Sequence, residues 1–109
     1  MKIYNKLVRD KIPQIIESQG KKAEYRVLCD VEYKAMLDQK LHEELSEYLT
    51  ASEEEKIAEL ADLIEVVYGV LESKGISVEV FEKVRITKRE ERGGFKEKLF
   101  LESVSDPNE

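Results

Sequence analysis

The segment from His42 to Asp62 carries eight carboxylates against a single cation, Lys56. Glu44 and Glu47 stand three residues apart, as do Glu59 and Asp62, so each pair shares one face of a helix. If the two segments are antiparallel neighbours turning near Ala51, Glu44 and Glu59 lie at about the same height. Glu47 and Asp62 are then displaced to either side by roughly 4 to 5 Å of helix rise. Such a set of hard oxygen donors, without supporting histidine or cysteine, selects Mg²⁺, with Mn²⁺ as the alternative, over zinc or iron. The sole histidine, His42, completes no ExxH motif, which argues against a di-iron bundle. Magnesium held by few protein carboxylates keeps waters and meets substrate phosphates, and phosphates also need cations. Arg85, Arg89 and Arg92 recur at i, i+4 and i+7, with Lys88 beside them. Arginine grips phosphate oxygens in a bidentate way and lysine acts as a point charge. The stretch "NKLVRDK" adds Lys6, Arg9 and Lys11.

Not every acid in the cluster needs a ligand. Glu53, Glu54 and Glu55 fit the start of a helix, where the macrodipole favours anions and solvent covers them. Glu59 does not fit that description. On a helical wheel it falls between Val66 and Val70, inside an apolar arc, and Asp62 lies at the margin of that arc. An unpaired carboxylate there costs several kcal/mol or takes up a proton. Glu43, Glu44 and Glu47 sit in the last turns of their helix, where the dipole disfavours them.

The elements that position these residues are predicted to be helices. Asp10 is the expected cap of a first short helix through "KIPQIIESQ", with Pro13 in its first turn and Gly20 as its stop. Asp30 is the expected cap of a second helix reaching about Leu49, with an apolar stripe of Leu37, Leu41, Leu45, Tyr48 and Leu49 and Glu44 at its edge. "SEEE" from Ser52 to Glu55 reads as a capping box for a third helix that Gly75 ends. That helix carries Ile57, Leu60, Ala61, Ile64, Val67, Tyr68 and Leu71 as its main apolar set, and Leu63, Val66 and Val70 widen the arc, so it packs on two sides. Ser77 is the expected cap of a fourth helix that stops at Gly93 and Gly94. "KKAEYRVL" and "KEKLFLESV" read as two strands of a small antiparallel ribbon leaning on the helices. The apolar excess on the third helix predicts a homodimer or higher homo-oligomer.

One hundred and nine residues make one domain, expected over 1–104 with a flexible tail at 105–109. The chain is 41% hydrophobic and 39% charged with two prolines and five glycines, which favours a soluble, mostly α fold over disorder. No apolar run approaches the roughly 18 residues of a membrane span, and "MKIYNKLVRDK" lacks the apolar core of a signal peptide, so the cytoplasm is the expected compartment. Cys29, the only cysteine, is expected to be a small apolar filler. The net charge of −6 is segregated: residues 1–28 sum to +4, 30–62 to −8, 63–82 to −3, 83–98 to +4 and 99–109 to −3. An acidic domain with no nucleic-acid signature argues against a nucleic-acid partner.

"EELSE" at Glu43–Glu47 followed by "ELAD" at Glu59–Asp62 resembles the EExxE then ExxD motif of the all-α nucleoside triphosphate pyrophosphohydrolases, the MazG and phosphoribosyl-ATP pyrophosphohydrolase superfamily. "ELADLIEVVYGVLESKGISVEVFEKV" is similar to the long helix, glycine stop and following helix of that superfamily, and "TKREER" to its basic segment. "YNKLVRDKIPQIIE" and "RGGF" resemble a small phosphoribosyl-ATP pyrophosphohydrolase-like branch. The resemblance implies a MazG-like helical bundle completed by dimerisation. It matches Glu44, Glu47, Glu59 and Asp62 to the magnesium ligands, and Lys88 and Arg92 to phosphate-contacting residues. It also implies Mg-dependent hydrolysis of a nucleoside triphosphate to a monophosphate and pyrophosphate. For that reaction one motif carboxylate is expected to take the water's proton, and Glu47 is the candidate base, with Glu44 the other candidate catalytic residue. Phosphoribosyl-ATP hydrolysis is the alternative substrate reading. A non-catalytic helical dimer with an acidic groove for a basic partner is the alternative class.

Overall fold

The computed structural model describes residues 1–108 and contains four helices: α1 (Ile12–Ser18), α2 (Asp30–Thr50), α3 (Lys56–Ser73) and α4 (Val78–Arg92). The chain divides into two compact units, Met1–Val78 and Glu79–Glu109. There is no strand among the described residues, so the expected ribbon does not form. Its two segments leave Tyr25, Val27, Leu99, Phe100, Leu101 and Val104 exposed. Alternation stabilises a strand only when one face is covered, and a two-stranded ribbon is marginal without that cover. The last residue of the expected tail, Glu109, lies outside the described residues.

In the first unit α2 and α3 form an antiparallel hairpin. Its register is marked at three heights: the Lys56 ammonium donates to the Tyr48 carbonyl at 2.8 Å, Glu44 meets Glu59, and Leu37 packs against Gly69. A Cβ on Gly69 would lie 3.2 Å from Leu37 Cδ2, so the missing side chain leaves room for Leu37 to pack there. Lys56 also stands over the Tyr48 ring, 4.4 Å from its centroid, and fastens the turn end of the hairpin.

The inward line on α2 runs Leu37, Leu41, Glu44, Tyr48, with spacings of four, three and four residues, while Leu45 and Leu49 are exposed. The seam is thus rotated from the expected stripe, and Glu44 stands within it rather than at its edge. On α3, Leu71 is buried and Leu63, Val66, Val67 and Val70 are half-buried, whereas Ile57, Leu60, Ile64 and Tyr68 remain exposed. The two apolar sides of α3 therefore have different fates. One faces α2 and the other is uncovered in the single chain.

Several expected caps are replaced. Lys11 and Cys29, not Asp10 and Asp30, precede α1 and α2, and neither makes a side-chain cap bond. Ser52 is not part of a capping box: its backbone carbonyl accepts from the N–H groups of Glu55 and Lys56, and the chain turns once more before α3 begins. Glu53, Glu54 and Glu55 consequently sit in that turn, and Glu59 is the acid of the first helical turn. Gly75 does end α3, in a left-handed conformation (φ 69°) with Ile76 N–H bonded to the Leu71 carbonyl and Gly75 N–H to that of Glu72, a Schellman closure. Cys29 is exposed and donates its thiol to Glu32 at 3.4 Å, so it is not core filler. Arg26 grips the same Glu32 through two bonds of 3.1 and 2.8 Å.

Candidate active site

Glu44 reaches the seam because it occupies a core position of α2, and it is 6% exposed, more buried than Leu71 at 8%. Glu59 faces it from the first turn of α3, and Asp62 follows one turn later. One carboxylate oxygen from each of Glu44, Glu59 and Asp62 lies within 4.8 Å of the others. Two buried oxygens, Glu44 Oε2 and Glu59 Oε2, have no hydrogen-bond partner. Burial pushes the Glu44 carboxyl above its ordinary range, and the neighbouring Glu47 pushes it further; the Lys40 ammonium opposes both. A buried acceptor without a donor costs free energy, and the Glu44, Glu59 and Asp62 carboxylates brought together repel one another. A divalent cation removes both costs, and the donor set, all carboxylate oxygen, suits Mg²⁺ or Mn²⁺. The residues present therefore fit the metal that their spacing implied.

Glu47 stands outside this trio, exposed to solvent on the Glu44 side. Glu43 is paired with two lysines: its Oε1 is 3.5 Å from Lys6 and 3.6 Å from Lys40. Lys40 also lies 3.5 Å from Glu44 Oε1 and is only 15% exposed. Sequence reasoning missed Lys40, although it precedes Glu43 and Glu44 by three and four residues, a spacing that brings side chains together on a helix. Arg9 donates from Nη2 to Asp62 Oδ1 at 2.7 Å, across fifty-three residues of chain. The amino-terminal arm thus brings Lys6 and Arg9 to the rim of the acid cluster.

The remaining basic residues lie in the second unit. Arg85, Lys88, Arg89 and Arg92 are all exposed along α4. Arg85 is bonded to Glu82 at 2.7 to 2.8 Å, and the Arg89 guanidinium lies against Gly94, 3.3 Å from where a Cβ would stand.

The helical hairpin brings the carboxylates of Glu44, Glu59 and Asp62 together in an all-helical fold, and comparison with known proteins gives the family. The sequence pattern of the phosphoribosyl-ATP pyrophosphohydrolases matches residues 14–88, and the chain belongs to that family, part of the MazG-like nucleotide pyrophosphohydrolase superfamily. The match contains Lys40, Lys88 and all four candidate ligands, and leaves Lys6, Arg9, Arg89 and Arg92 outside it. An uncharacterized protein of Mycolicibacterium smegmatis is 49% identical over 45 residues, which cover 41% of this chain and 46% of that relative. No solved structure matches significantly. Family membership implies nucleotide pyrophosphohydrolase chemistry in general. No helix among the described residues is long and apolar enough to cross a membrane.

Proposed function

We propose that this chain hydrolyses the α–β phosphoanhydride of a nucleoside triphosphate, or a related nucleotide, to a monophosphate and pyrophosphate, using Mg²⁺ or Mn²⁺. The observation that carries the reading is the pair of buried, unpartnered oxygens Glu44 Oε2 and Glu59 Oε2 within reach of Asp62. Glu44, Glu59 and Asp62 hold the ion, with Glu47 as a further donor. A bound divalent ion supplies positive charge to the phosphate oxygens and acidifies water. Glu47, being solvent-facing and next to Glu44, takes the proton of the attacking water. The water oxygen bonds to the α phosphorus while the bond to the bridging oxygen breaks and its electron pair leaves with pyrophosphate. Lys88 and Arg92, assisted by Arg85 and Arg89, neutralise that leaving charge, and Lys6 and Arg9 contact phosphate from the amino-terminal side.

The functional domain spans residues 1–104 and acts in the cytoplasm on the nucleotide pool, in the manner of a house-cleaning enzyme. It works as a homodimer: the exposed Leu45, Leu49, Ile57, Leu60, Ile64 and Tyr68 on the hairpin are the surface a second copy covers. The family description supports phosphoribosyl-ATP as a second candidate substrate. The test is a panel of canonical and modified nucleoside triphosphates plus phosphoribosyl-ATP, incubated with Mg²⁺ and scored for pyrophosphate. At least one member is expected to release it, and Glu44→Ala, Glu59→Gln and Asp62→Asn are each expected to lower that release by about a hundredfold or more. Silence across the panel favours the non-catalytic binding protein, and undiminished release from all three variants removes the metal assignment.

A further inference from the structure

We propose that Arg9 is an exchangeable cation latch on the metal site: it holds Asp62 while the site is empty of nucleotide and transfers to substrate phosphate when metal and nucleotide arrive together. The inference rests on the metal reading above and concerns a residue outside the segment that matches the family.

Arg9 is placed by local structure. Its carbonyl accepts from the Ile12 N–H at 3.1 Å in the turn that opens α1, and its guanidinium reaches Asp62 on α3. Upstream, Asn5 takes a left-handed conformation (φ 45°), which asparagine tolerates, and the arm then brings Lys6 to Glu43. Lys6 and Arg9 are thus laid along one rim of the acid cluster. Of the two, Arg9 alone bonds a member of the three-carboxylate group that can hold a metal.

That contact sets up a competition. A guanidinium bonded to Asp62 Oδ1 puts a positive charge beside the place where a doubly charged ion must sit, so an ion that binds without substrate meets repulsion and a partly engaged ligand. The pair is also easily broken: the side chains of Arg9 and Asp62 are 56% and 43% exposed, and ion pairs in that setting are weak. Triphosphate oxygens offer the same guanidinium a bidentate partner of higher charge. With nucleotide present, Arg9 gains a better partner and Asp62 is released to the ion. The consequence is reciprocal coupling, in which nucleotide tightens metal binding and metal tightens nucleotide binding through the one side chain. Lys40 does not exchange in this way, because it is largely buried between Glu43 and Glu44 on its own helix.

The test is calorimetric titration of full-length wild type, Arg9→Gln and Lys6→Gln with Mn²⁺, alone and with a saturating α,β-methylene nucleoside triphosphate. Wild type is expected to bind Mn²⁺ more tightly with the analogue present. Arg9→Gln is expected to bind Mn²⁺ alone on the order of tenfold more tightly than wild type and to lose most of the gain from the analogue. Lys6→Gln, which removes one of the two lysines at Glu43 and touches none of the three grouped carboxylates, is expected to shift far less. A thermal melt in EDTA checks that each variant is folded, and Arg9→Lys, which keeps the charge without the fork, is expected to stay near wild type for Mn²⁺ alone. If Arg9→Gln binds Mn²⁺ no more tightly than wild type, the latch is overturned while the metal site stands. If wild type and all variants fail to bind Mn²⁺ under both conditions, the metal reading falls and the latch with it.

Discussion

On α2 and α3, Glu44 and Glu59 each bury a carboxylate oxygen with no partner, whereas on α4 Arg85, Lys88, Arg89 and Arg92 all stand in solvent. Both regions are densely charged, but folding treats the charge differently. Glu44 occupies a core position between Leu41 and Tyr48, so its ionised form lowers stability in the absence of a cation, and its presence there has to be explained by what it binds. The cations of α4 impose no comparable penalty and can be changed without touching a core. The hairpin is therefore expected to exchange stability for function, and α4 is expected to separate the two.

The largest test of that contrast is Glu44→Leu. Leucine restores an apolar residue to the seam, and Lys40 keeps Glu43 as a partner. The metal-free protein is expected to gain about 1 to 3 kcal/mol in denaturant unfolding while pyrophosphate release falls by about a hundredfold or more. Loss of stability in this variant would mean that the carboxylate supports the fold. Next in size, Lys88→Ala combined with Arg92→Ala is expected to lower kcat/KM by roughly ten- to a hundredfold with unfolding free energy unchanged within about 0.5 kcal/mol. A large stability loss there would erase the distinction between the two regions. Lys56→Ala sharpens the structural half: it removes the bond to the Tyr48 carbonyl and the cation–π contact, so chemical denaturation should show a loss of about 1 kcal/mol.

The smallest effect belongs to Glu32, at the start of α2. The Arg26 guanidinium and then the Cys29 thiol hold its carboxyl down at about 2, against an ordinary 4.5. A depressed carboxyl contributes stability above its unfolded value, and that contribution is lost as pH falls through the folded value. Wild type should therefore lose stability between about pH 5 and pH 2 slightly more steeply than Glu32→Gln, as read by melting temperature. Both partners are exposed, so the difference is small.

The hairpin was legible from the sequence because its signals are local: helical spacing of the acids, a short connection near Ala51, and the position of Glu59 inside an apolar arc. The same local logic misplaced Glu44 by one step, because an apolar stripe drawn from Leu45 and Leu49 points to the surface left uncovered, and the seam with α3 follows Leu41 and Tyr48. "KKAEYRVL" alternates like a strand, yet alternation does not supply a partner. "SEEE" has the letters of a capping box, but the Ser52 carbonyl is taken by a backbone turn before its side chain can act. The Arg9–Asp62 contact had no signal in spacing at all, since it depends on how the amino-terminal arm is laid against the hairpin.

The division of the acid-rich segment into buried ligands and solvated charge can be measured directly by titrating Mn²⁺, followed by electron paramagnetic resonance, into wild type, Glu59→Gln, and the triple variant Glu53→Gln, Glu54→Gln, Glu55→Gln. The triple variant is expected to bind as wild type does, because its three acids lie in the turn before α3, and Glu59→Gln is expected to lose saturable binding while remaining folded. Equal weakening in both variants would show that a diffuse acidic field, and not a converging carboxylate site, attracts the ion.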